Sequence, residues 1–117
     1  MNWIVTLPKF VKWEDYQEEL KAVKDGTQAL NYKVRYIPKE MKVGDQLWIT
    51  HEGKVRGWMT VTGLLRASSD WECTTTGKVW RVGNYIQRSG EFHHVTGQKA
   101  KGFRGIRKFN PEMEGAA

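Results

Sequence analysis

Between Gln46 and Thr62 the chain alternates with a period of two. Leu47, Ile49, Val55, Met59 and Val61 are apolar at odd positions, while Gln46, Thr50, Lys54, Arg56, Thr60 and Thr62 hold even ones. That period belongs to half-buried strands and is incompatible with one continuous helix. Trp48 and Trp58 fall in the even, polar set. Gly53 closes the segment His51-Glu52-Gly53, where a three-residue hairpin loop wants a left-handed residue. Such a loop keeps odd residues opposite odd ones. It predicts the pairs Trp48–Arg56 and Ile49–Val55, with Trp48, Arg56 and Trp58 together on the polar face and a Trp–Arg cation–π contact.

The flanking segments supply the other elements. Residues 3–7 (Trp-Ile-Val-Thr-Leu) read as a strand ending at Pro8. Trp13, Tyr16, Leu20 and Val23 make one apolar stripe, which predicts a helix over 13–24 packed on the core. Glu14 and Asp15 in its first turn and Lys21 and Lys24 in its last suit the helix dipole, and Gly26 is available to cap it. A strand over 31–37, one helical turn at 38–41 and a tight turn at Val43-Gly44-Asp45 precede the hairpin. Gly63 and residues 67–70 mark a loop holding Trp71, and 74–77 a further turn. Residues 78–82 read as a strand broken at Gly83-Asn84 and extended by Tyr85-Ile86. Ser89-Gly90 and Gly97 punctuate the stretch after it, and residues 101–109 form a last strand. The tally is a small mixed β-barrel of five to seven strands with one or two flanking helices, an α+β fold. It forms one domain over 1–110 with a loose tail over 111–117.

Charge is uneven. Of 117 residues, 19 are Lys or Arg and 13 are Asp or Glu, a net of +6. Residues 78–109 carry eight basic groups against Glu91 alone, whereas residues 1–77 are nearly balanced. The basic block is either a solvated face or a surface for a polyanion. Trp80, Tyr85 and Phe103 are interleaved with it, as single-stranded nucleic acid requires. No apolar run approaches the ~18 residues of a membrane span, and residues 1–8 do not read as a signal peptide. Cys73 is the only cysteine, which excludes an intrachain disulfide and points to a reducing compartment, the cytoplasm.

No catalytic motif is present: no nucleophile elbow, no P-loop, no dinucleotide fingerprint. His93 and His94 are adjacent, so a strand sends them to opposite faces, and no metal site is expected. His51, in the hairpin loop, is expected to be exposed. Cys73 has no base beside it in sequence and reads as a packed thiol. No carboxylate pair stands out for acid–base work, and no cofactor is implied. Six Trp remain to be explained. Trp3 and Trp13 fit core positions. Trp48 and Trp58 are either surface stacking groups or residues covered by the helix or tail.

The motif order resembles that of EVE domains of the PUA-like superfamily, relatives of ASCH and YTH domains. The residues that carry the resemblance are Trp3-Ile4-Val5, Trp13-Glu14-Asp15-Tyr16, 31–35 (Asn-Tyr-Lys-Val-Arg), 41–51 (Met-Lys-Val-Gly-Asp-Gln-Leu-Trp-Ile-Thr-His) and 53–63, starting Gly-Lys-Val-Arg-Gly-Trp. The ASCH signature Gly-x-Lys-x-x-Glu-x-Arg is absent, so the amidohydrolase activity of some ASCH relatives is not implied. The resemblance implies a small barrel with an aromatic pocket for a nucleotide base, often a modified one. Its carry-over marks Asn31, Arg35, His51 and Trp48 as pocket residues, and the parity argument adds Trp58. The phosphate-binding candidates are Arg56, Lys78, Arg81, Arg88, Lys99, Lys101, Arg104 and Arg107. The expectation is a nucleic-acid-binding module, DNA or RNA, with a basic face. The alternatives are an enzyme on the same fold acting on a nucleoside or base, and a protein-binding inhibitor module anchored by Trp48 and Trp58.

Overall fold

The computed structural model describes residues 1–25, 29–72, 79–96 and 105–109, and only the backbone of Trp71, Glu72 and Trp80. The order is β1 (Asn2–Thr6), α1 (Trp13–Val23), β2 (Leu30–Val34), β3 (Gln46–His51), β4 (Lys54–Ala67), β5 (Trp71–Glu72), β6 (Val79–Trp80), β7 (Gly83–His94) and β8 (Ile106–Lys108). Six strands make one mixed sheet in the order β2-β7-β4-β3-β1-β8, and β5 and β6 pair separately. Only β1 and β3 run parallel among the paired strands of the large sheet.

The sheet curls into a half-barrel. β2 and β1 are separated by three strands in the order, yet the Tyr32 hydroxyl donates to the Thr6 carbonyl at 3.4 Å. The curl follows from alternation. Trp3, Val5, Leu47, Ile49, Met59, Val61, Ile86 and Phe92 point inward, and α1 lays Tyr16, Leu20 and Val23 against them. Each such side chain, taken fully out of water, contributes about 1.5–3 kcal/mol. The apolar stripe expected of the helix is the one observed, with Trp13 partly buried at its start.

A second, smaller cluster lies on the outer face: Ile4, Trp48, Val55 and Phe109, with Trp58 and Val95 packed against them. The even face of the hairpin is therefore not a solvated polar face. Trp48 is 6% exposed and Thr50 fully buried.

The hairpin register also differs from expectation. The loop has two residues, Glu52 and Gly53, both at positive φ (54° and 76°), and His51 pairs with Lys54. That is the pattern of a tight hairpin turn whose twist matches its strands. Beyond it Thr50 pairs with Val55 and Ile49 with Gly57, so Arg56 is left out of the ladder as a bulge. The odd residue sits in the strand rather than in the loop. Trp48 consequently faces Trp58, not Arg56, and Val55 turns to the outer cluster.

Of three glycine positions read as breaks, Gly63 and Gly90 lie within continuous strand and Gly83 begins one. β4 runs through Gly63 with a register shift there, β7 begins at Gly83, and it passes Gly90 at φ 90° with another shift. A strand tolerates these irregularities when both flanks stay paired. Trp71, expected in a loop, belongs to β5 and lies across from Trp80. Residues 38–41 make a single turn, closed by the Met41 amide on the Pro38 carbonyl at 3.1 Å. The expected turn at 74–77, Gly97, residues 101–104 of the last strand and the tail from 111 lie outside the described residues. No helix among the described residues is long and apolar enough to cross a membrane.

Candidate nucleic-acid interface

One row of side-chain positions runs across five strands of the outer face. Arg107 on β8 pairs with Ile4 on β1, Ile4 with Trp48 on β3, Trp48 with Trp58 on β4, and Trp58 with His93 on β7. The centre of the row is apolar. The Trp48 ring lies 5.0 Å from Phe109 and 6.3 Å from Trp58, centroid to centroid. The end of the row is open. The exposed His93 ring stacks on Trp58 at 3.9 Å with 12° between the planes. β2 pairs with β7 only from Asn84 to Arg88, so at His93 β7 has no strand on that side among the described residues. With Trp58 on one face of the exposed His93 ring, a planar group on the other would continue the stack.

A second aromatic group closes the end of the half-barrel below α1. Trp13 lies 6.1 Å from His51 and 5.6 Å from Tyr16, both stacked, and meets Phe92 and His94 edge-on. The Arg56 guanidinium sits over the Trp13 ring at 5.0 Å. The cation–π partner of Arg56 is thus Trp13 rather than Trp48. The bulge makes this possible, since Arg56 no longer answers to the alternation of β4.

His51 is 1% exposed, against the exposed position expected of it. Its Nε2 lies 2.9 Å from the Val11 carbonyl. A carbonyl can only accept, so Nε2 carries the proton and Nδ1 is left buried without a partner. The β1–α1 connection, through Val11, covers a side chain that sequence position alone places in solvent.

The remaining pocket candidates fall in other surroundings. Asn31, on β2, accepts at Oδ1 from Gln87 Nε2 at 3.1 Å. Arg35 is exposed after β2, its carbonyl accepting from Asn84 Nδ2 at 3.0 Å. It borders a cleft of about 390 Å³ with Tyr36, Gly105 and Ile106. The cleft beside the hairpin tip is lined, among the described residues, by Thr6, Leu7, Pro8, Lys9, Thr50, Glu52 and Gly53, with no aromatic side chain. The structure brings together Trp48 with Trp58, and His51 with Arg56 through Trp13. It gives Asn31 and Arg35 partners of their own.

Among the phosphate candidates, Arg81 is exposed and paired with Asp70 at 3.1 Å, and Arg107 is exposed on the β8 edge. The Asp70 carboxyl is held below its ordinary range, chiefly by the Val82 amide and also by Arg81. Arg88 departs from the expected basic surface: at 3% exposure it points into the half-barrel. Lys78, Lys99, Lys101 and Arg104 lie outside the described residues. No group of three His, Cys, Asp or Glu among the described residues could hold a metal ion.

His93 and its stack on Trp58 were not singled out from sequence. Part of the signal was available: Trp58 has the parity of the polar face, and His93 alternates with the apolar Phe92. No family model, curated protein or solved structure matches the chain.

Proposed function

We propose that the chain is a PUA-like module that binds single-stranded nucleic acid in the cytoplasm, by placing a base, unmodified or modified, against the Trp58–His93 stack. The observation that carries the reading is the open end of the outer row. A ring already stacked on Trp58 with centroids 3.9 Å apart supports the reading, and at that ring β7 has no strand on its second edge among the described residues. Stacking on such a platform supplies about 1–3 kcal/mol per base. Arg107 at the far end of the row, and the basic residues of 78–109 other than the buried Arg88, provide the charge that holds phosphates.

Titration of intrinsic tryptophan fluorescence with single-stranded DNA, RNA and free nucleosides, at two salt concentrations, tests this. Binding is expected to quench the signal and to weaken with salt, with a slope of about −0.7 per phosphate neutralised. Trp58→Ala and His93→Ala are expected to weaken it about tenfold or more. Affinity unchanged by salt and by both substitutions refutes the reading.

A further inference from the structure

Arg88 stands on the inner face of the half-barrel with 3% of its surface exposed. Its guanidinium lies 5.8 Å from the Tyr32 ring centroid, and the Tyr16 hydroxyl lies beside it. Nε and Nη1 are buried without a hydrogen-bond partner, and so is the Tyr16 hydroxyl. No carboxylate among the described residues pairs with Arg88. Glu19, whose charge reaches Tyr16, is exposed on α1.

A guanidinium does not lose its proton under any condition in which a protein folds. Lysine or histidine in the same place could neutralise itself, but arginine cannot. A buried unpaired cation is a standing penalty, and an apolar side chain of similar size would remove it. Water could fill the hydrogen bonds but would leave the charge uncompensated. The position therefore has the character of a receptor short of its anion. The same α1–β7 seam holds a groove of about 240 Å³, bordered by Lys21, Lys24, Glu91 and His94, with Leu20 and Phe92 on its walls. Lys24 adds positive charge at its mouth, while Lys21 is paired with Glu18 at 3.1 Å.

We propose that Arg88 and the Tyr16 hydroxyl form an internal site for a small oxyanion, a phosphate or carboxylate group, admitted beneath α1. Arg88 supplies the charge and the open donors. Tyr16 supplies a third donor from the helix side, so a bound anion ties α1 to β7. Tyr32 backs the guanidinium with its ring while its hydroxyl joins β2 to β1. The site faces inward and shares no residue with the Trp58–His93 row, so either can fail alone.

Thermal melts in an amine–chloride buffer, with and without inorganic phosphate, acetate or ribose 5-phosphate, which carries no base for the Trp58–His93 stack, test the proposal. The wild-type melting temperature is expected to rise by about 5 °C at roughly ten times the dissociation constant of an accepted anion. Arg88→Met is expected to melt no lower than wild type without anion and to show no rise with it. Tyr16→Phe, which keeps the ring and its packing, is expected to retain the fold with a reduced rise. A rise with phosphate or acetate alone assigns the site to free anions, and a rise with the sugar phosphate alone assigns it to a phosphate carried on a larger ligand. Three results overturn the proposal: no rise in wild type with any of the three, an equal rise in wild type and Arg88→Met, or a rise undiminished in Tyr16→Phe.

Discussion

Trp48 and Trp58 face each other across β3 and β4 with their rings 6.3 Å apart, and Arg56 is the reason. By dropping out of the ladder it rotates the rest of β4 by one step, so that two tryptophans ten residues apart meet on one face. They meet at unequal depth. Trp48 is sealed under Phe109, while Trp58 shares its other side with the exposed His93.

Their substitutions should therefore diverge. Trp48→Ala is expected to cost about 3–5 kcal/mol of stability, as loss of a core aromatic does. Trp58→Ala is expected to cost less than half of that and to weaken nucleic-acid binding about ten- to hundredfold. Chemical denaturation and a fluorescence titration of each variant check the pair.

Gly57 holds the bulge. It has φ 152°, and a Cβ there would come 2.2 Å from the His93 carbonyl oxygen and 2.5 Å from the Phe92 ring. The first contact is with backbone and cannot be relieved by a rotamer change. Gly57→Ala is expected to destabilise by about 2–4 kcal/mol and to disturb the His93 stack, visible as a change in near-ultraviolet circular dichroism.

Glu52 occupies the first turn position at φ 54°, a conformation that costs an ordinary L-residue about 1–2 kcal/mol. Glu52→Asn or Glu52→Gly, followed by the existing Gly53, supplies residues that tolerate it. Either is expected to raise stability by about 0.5–1 kcal/mol with an unchanged fold, measured as a higher denaturation midpoint.

Asp45 gathers the start of β3. Its carboxylate accepts from the Lys42 amide at 2.9 Å, from Trp3 Nε1 at 3.0 Å and from the Met1 amino group at 3.2 Å. Burial is the largest single influence and raises its pKa, but these three donors together outweigh it and hold the carboxyl below its ordinary 3.8. A depressed folded value means the group stabilises the fold fully above the unfolded pKa and loses that contribution as the pH falls through the folded one. Asp45→Asn is expected to cost about 1.5–3 kcal/mol at pH 7. The gap to wild type should narrow below about pH 4, read from denaturation midpoints across that range.

The alternation at 46–62 and the stripe at Trp13, Tyr16, Leu20 and Val23 were legible because each writes one structural period directly into the chain. The parity argument correctly joined Trp48 and Trp58, yet it put the extra residue in the loop. A bulge at Arg56 and a longer loop leave the same alternation beyond them, and only the backbone separates the two. Glycine misled for a related reason. Gly63, Gly83 and Gly90 have turn chemistry but sit within or at the start of long paired strands, where neighbours override local preference. The burial of His51 and Arg88 was not legible at all. Each is covered by a distant part of the chain, Val11 in one case and α1 in the other, and no local pattern announces such a cover.

The pairing of β1 with β8 joins Trp3 to Lys108 and Val5 to Ile106, about as distant in sequence as this chain allows. Of the described strands, β1 is the earliest in the chain and β8 the latest, so one edge of β1 waits for β8. The hairpin of β3 and β4 can form early from local contacts. β1 can dock on β3 soon after, but its other edge stays unpaired until residues 106–108 have left the ribosome. Loops of that length close slowly, and the rate falls as contacts become less local. During that interval the chain exposes the row of Ile4 and Trp48 along an open strand edge. That makes the unfinished protein, rather than the folded one, the form most exposed to misassociation.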